Sequence, residues 1–127
     1  MKEMVYKPER CAPERLAYGN YRGLDYYVLN LGTHPCAYVD ISEYEGEPLN
    51  VEKIDCHGGI TYLEQYLATV DRKGEFIGWD YSHCWDYNGA CRDFPYTKEL
   101  KRWTTAEMVD ECKYVIDQIC ERRSDDG

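Results

Sequence analysis

The chain has 127 residues, with 15 basic against 24 acidic side chains, a net charge of −9, and aromatic content dominated by 13 Tyr. That length suits one domain, able to bury roughly two thirds of the surface its unfolded form exposes. The negative charge repels nucleic-acid phosphates and anionic bilayers, so neither direct nucleic-acid binding nor membrane attachment is expected.

The first residues, Met1 to Pro8, show no apolar core of a secretory leader, and no apolar run approaches the roughly 20 residues that span a bilayer. Seven cysteines, an odd number with no Cys-x-x-Cys pair, read as free thiols in a reducing cytosol. Residues 1–14, with Pro8 and Pro13 among charges, are expected to form an extended arm.

From residue 15 to 123 the pattern is that of a single α+β domain. Arg15–Tyr21 and Leu24–Leu31 read as strands joined near Arg22-Gly23. The second places Leu24, Tyr26 and Val28 on one face and Tyr27, Leu29 and Leu31 on the other, as a central strand does. After the turn Gly32-Thr33-His34-Pro35, Cys36–Ile41 reads as a third strand with Ala37, Val39 and Ile41 sharing a face.

An acidic loop, Glu43 to Asn50, leads into Val51–His57, expected as a strand with Ile54 and Cys56 towards the core and Asp55 and His57 away from it. Ile60–Val70 fits either a strand or a short helix. Beyond the turn Asp71–Gly74, Glu75–Tyr81 is a strand with Ile77, Trp79 and Tyr81 on one face and Phe76, Gly78 and Asp80 on the other. Ser82–Trp103 reads as a long polar-aromatic loop, a type that is often functional.

Thr104-Thr105-Ala106-Glu107 supplies a capping box. Met108, Val109, Cys112, Val115, Ile116, Ile119 and Cys120 then form one apolar stripe at helical spacing, and residues 124–127 are a frayed tail. The expected architecture is an antiparallel-rich sheet of about five strands packed by this C-terminal amphipathic helix.

Most of the chemistry lies in two stretches, Asp55 to Tyr62 and Gly78 to Asp86. Together with Cys36-Ala37-Tyr38-Val39 and Glu111-Cys112-Lys113 through Ile116-Asp117-Gln118-Ile119, they resemble a family of small uncharacterised tailed-bacteriophage and prophage proteins. That family combines a His-Gly-Gly-[Leu/Ile]-Thr-Tyr segment with a Gly-[Phe/Trp]-Asp-x-x-His-x-x-Asp segment, and the likeness covers roughly residues 20–120. It departs at Ala37, where glycine is usual, and at Cys84-Trp85, which replace a small pair beside His83. The resemblance implies a phage accessory protein in the cytoplasm of a bacterial host and supplies no activity.

The residues themselves admit several chemistries. His57, Asp80, His83 and Asp86 offer a ligand set for a divalent metal ion, although their spacing matches no zinc signature. The plain alternative has Asp80 and Asp86 capping turns while His83 bonds locally. A metal-dependent hydrolase therefore stays open, and catalysis without metal has no supporting motif.

A binding pocket fits the pattern better. His57, Thr61, Tyr62, Asp80, His83 and Asp86 would line it, with Gly58 and Gly59 shaping a backbone that approaches the ligand closely. Aromatic faces beside polar groups suit a small nucleotide-like ligand, and in the phage setting a sequestered host immune signal. Homo-oligomerisation would be compatible with such a pocket. A third reading is an acidic inhibitor of a basic host protein, or a nucleic-acid mimic.

Overall fold

The computed structural model describes residues 14–30, 34–45, 49–67, 70–81, 86, 101 and 103–125, with backbone alone at Glu14 and at 122–125. The expected N-terminal arm up to residue 13, most of the Ser82–Trp103 loop and the end of the tail lie outside those residues.

Five strands form one antiparallel sheet: β1 (Glu14–Tyr21), β2 (Leu24–Asn30), β3 (Pro35–Asp40), β4 (Tyr62–Leu67) and β5 (Arg72–Asp80), in the order β1-β2-β3-β5-β4. A single helix, α1 (Thr105–Asp125), completes the α+β fold. The first hairpin is set by its two-residue loop, where Arg22 (φ 52°) and Gly23 (φ 90°) give the two positive φ angles that match strand twist. Asn20 accepts the Gly23 N–H at 3.3 Å and fixes the turn.

Pleat alternation sorts the core into two faces. Leu24, Tyr26 and Val28 of β2, Ala37 and Val39 of β3, and Ile77 and Trp79 of β5 join the helix-side core. Tyr27, Leu29, Cys36, Tyr38 and Phe76 make a second buried cluster on the other face. The helical stripe Met108, Val109, Cys112, Val115, Ile116 and Ile119 is buried against the first. Asp117 accepts from Arg22 at 2.8 Å and from the Tyr21 hydroxyl at 3.0 Å, tying the hairpin tip to α1.

The segment Val51–His57 corrects the expected strand. Val51–Lys53 is a single 3-10 turn, capped by the Asn50 side chain accepting from Glu52 N–H, and an irregular path follows. The Gln118 side chain takes the place of a neighbouring strand. Its carbonyl accepts the Asp55 N–H at 2.8 Å, and its amide donates to the Asp55 carbonyl at 2.7 Å. A helix side chain thus satisfies the backbone that a ladder would otherwise have paired. The ambiguous stretch after Ile60 is the strand β4, and β5 begins at Arg72, earlier than the expected Glu75.

The capping box forms as expected: Thr104 N–H donates to Glu107 Oε1 at 3.0 Å, and Glu107 N–H donates to Thr104 Oγ1 at 3.2 Å. Lys101, 2.8 Å from Glu107, holds that carboxyl below its ordinary value. A depressed folded pKa stabilises above the unfolded value, and that contribution is lost as pH falls through the folded one. The protection factors of amides in the first turn of α1, taken relative to intrinsic exchange at each pH, should therefore fall on acidification below the ordinary glutamate range. In Glu107→Gln that fall in protection should disappear.

Candidate functional site

At the end of β5 the two motifs meet, and alternation divides their side chains between the two faces. On the helix side, Trp79 and Tyr81 point inward, 1% and 0% exposed. Their indole N–H and phenol both donate to Glu111 Oε1, the indole at 3.1 Å, while the other oxygen of Glu111 accepts the His57 backbone N–H at 3.0 Å. Burial, followed by the neighbouring Glu111 charge, pushes the Tyr81 phenol well above its ordinary pKa, so it remains a donor.

His57 continues this network. Its ring stacks on Tyr81 with centroids 5.2 Å and planes 9° apart, and its Nε2 lies 2.7 Å from Asp86 Oδ2. The second Asp86 oxygen accepts the Trp103 indole N–H at 2.8 Å. Asp86 is 2% exposed, so its charge needs these partners. His57 and Asp86 are here a clamp that fastens the His57 turn to the start of α1. The sequence pattern did not reveal Trp103 or Glu111 as members of the cluster.

Gly58 (φ 73°) and Gly59 (φ 80°) carry the chain around the sheet rim, in backbone that side chains rarely adopt. Beyond them Thr61 N–H donates to the Gly78 carbonyl at 2.9 Å and starts β4. The diglycine thus joins the helix-side clamp to the opposite face.

That opposite face holds a cleft of about 360 Å³ lined by His34, Cys36, Tyr38, Thr61, Tyr62 and Asp80, with Trp79 contributing at its edge. Sheet register explains the grouping. Gly78 pairs with Tyr38 on one side and Tyr62 on the other, while Asp80 pairs with Cys36. β4 begins only at Tyr62, so β5 runs past it and leaves Asp80 at an open corner. The Tyr38 and Tyr62 rings meet edge to face at 4.9 Å. A Cβ at Gly78 would stand 2.5 Å from the Tyr38 ring, so only glycine lets that ring lie against the sheet.

The thiols near the site are poor nucleophiles. Burial, reinforced by Asp80, pushes Cys36 up to about 12, and burial with Glu111 nearby pushes Cys56 up to about 12. Neither is in a disulfide, nor is Cys112.

The expected single pocket is therefore two arrangements. Thr61, Tyr62 and Asp80 come together in the cleft, with His34, Cys36 and Tyr38 as members the motifs alone did not single out. His57 and Asp86 pair on the helix side, Gly58 and Gly59 lie at the rim between, and His83 is outside the described residues. The physical reason is that Val51–His57 is not a strand, so alternation does not carry His57 to the face of Asp80. The four-residue metal set is not gathered as expected, because Asp80 faces away from the His57–Asp86 pair. Among the described residues no group of three His, Cys, Asp or Glu side chains is placed to hold a metal ion, and no helix is long and apolar enough to cross a membrane.

Comparison with family models, curated proteins and solved structures found no match to this chain.

Proposed function

We propose that the chain is a binding protein whose cleft of Tyr38, Thr61, Tyr62 and Asp80 takes a small planar polar ligand, best represented by the base of a nucleoside or nucleotide. The observation that carries this reading is the convergence of Asp80, Thr61, Tyr38 and Tyr62 on one cleft at the end of β5. Asp80 accepts from ring or exocyclic N–H donors, Thr61 offers a hydroxyl, and the tyrosines supply apolar contact. The net charge of −9 disfavours multiply charged phosphates, so nucleosides and cyclic mononucleotides fit better than triphosphates. High thiol pKa values at Cys36 and Cys56 favour binding over nucleophilic turnover. In the phage setting that the motif resemblance implies, binding without turnover would withhold a nucleotide signal from the host.

Thermal-shift and calorimetric titration against nucleosides, cyclic mononucleotides and linear nucleotides tests this. At least one compound should raise Tm, and Asp80→Asn should weaken its binding by about tenfold, the scale of one lost charged hydrogen bond. No shift across the panel, or equal affinity in Asp80→Asn, would remove the proposal.

A further inference from the structure

A helix about 10 Å across cannot cover five strands spaced roughly 4.8 Å apart. α1 packs mainly over β1, β2 and β3 and reaches β5 through Glu111 on Trp79, while the segment after β3 lies over the β5–β4 end of that face. Among the described residues the cover is incomplete. A groove of about 720 Å³ remains, floored by Ile41, Leu49, Val51 and Ile77, with Leu63 at its lip. A smaller hollow of about 240 Å³ extends it along Leu63, Glu64 and Gln65.

β4 is also the last strand in the sheet order. Leu63 is 60% and Tyr66 45% exposed, and Glu64 and Gln65 between them are exposed too. An accessible edge of this kind can pair with an added strand, whose alternate side chains enter a flanking groove. Charge selects among the occupants. Glu64 and Glu75 line the groove and its extension, and among the described residues no Lys or Arg does. A second copy of this chain would bring the same glutamates to the same edge, where like charges repel.

We propose that β4 and this groove form a docking surface for an extended segment of another protein, with apolar and basic side chains in alternation. The segment adds as a sixth strand beside β4. Its apolar side chains lie over Leu63 into the groove that Glu75 borders, and its basic ones, on the opposite face of the added strand, meet Glu64. The surface is separate from the cleft of Asp80, which opens on the other face.

The test is selection of a random dodecapeptide library on the intact protein, followed by binding of the enriched peptides to variants and amide exchange across β4. The expected result is enrichment of peptides alternating apolar residues with Lys or Arg. Their affinity should fall at least tenfold in Leu63→Lys/Glu64→Lys, and β4 amides should exchange more slowly in the complex. Both substituted side chains are exposed, so the variant should keep the wild-type Tm. Acidic or unpatterned peptides, unchanged affinity in the variant, or protection confined to α1 would overturn the proposal. So would a concentration-dependent dimer lost in Leu63→Lys, which would assign the edge to a second copy.

Discussion

Glu111→Ala melts on the order of 10 °C below the wild-type protein. The carboxylate accepts from the Trp79 indole, the Tyr81 phenol and the His57 backbone N–H, and the first two groups are buried. Each buried donor left without an acceptor costs about 1–3 kcal/mol. Trp79 retains the Tyr81 oxygen at 2.9 Å, so part of that loss is recovered and a total near 3 kcal/mol is expected. For a domain of this size each kcal/mol moves Tm by roughly 3–5 °C.

Glu111→Gln should fall between the two proteins, since one carbonyl oxygen still accepts while the amide nitrogen cannot. Exposed Glu121→Ala on the same helix should melt within about 2 °C of wild type. Calorimetry on the three variants decides the matter. If Glu111→Ala melted with the Glu121→Ala control, the network would not hold the His57 turn against α1.

Gly78→Ala is expected to cost about 2 kcal/mol and to abolish ligand binding in the cleft. The added methyl meets the Tyr38 ring at 2.5 Å and the Ala37 carbonyl oxygen at 2.9 Å, in the strand pair at the centre of the cleft. Glycine is normally unfavourable in a strand interior, so alanine at an unconstrained position would stabilise instead. The sign of the effect therefore reports the packing of the Tyr38 ring. In a Tyr38→Ala background the same change should cost less than about 1 kcal/mol, because only the carbonyl contact remains. Urea unfolding of the four proteins in the cycle measures this coupling. Equal costs in both backgrounds would separate Gly78 from Tyr38.

The legible parts of the fold were those dictated by local periodicity. The faces of β2, β3 and β5 follow from alternation, and the stripe from Met108 to Ile119 with its Thr104–Glu107 box follows from helical spacing. Val51–His57 misled because its alternation was consistent with a strand, while the partner of its backbone is Gln118, distant in sequence and on a helix. That one substitution of a side chain for a strand moved His57 to the helix side.

For the same reason half of the candidate site was visible. Asp80 lies opposite the helix, as the alternation of β5 implied, and Thr61 and Tyr62 line the same cleft. Tyr38 joins them through cross-strand register, which a linear reading does not supply, although glycine at position 78 between bulky neighbours was a usable sign of a close approach. Trp103 and Glu111 entered the clamp through tertiary contacts alone.

The strand order also carries a consequence for how the chain acquires its cleft. β1, β2 and β3 form a local meander, closed by loops of a few residues. Pairing Cys36 with Asp80 instead joins positions 44 apart (80 − 36), across all of the intervening chain. Loop-closure entropy makes such a contact slower to form than a hairpin. Every wall of the cleft depends on that one distant pairing, since Tyr38 stands on one of its strands, Asp80 on the other, and Tyr62 on the strand added beyond. The meander can therefore form from local contacts alone, whereas the walls of the cleft come together only when β3 has paired with β5.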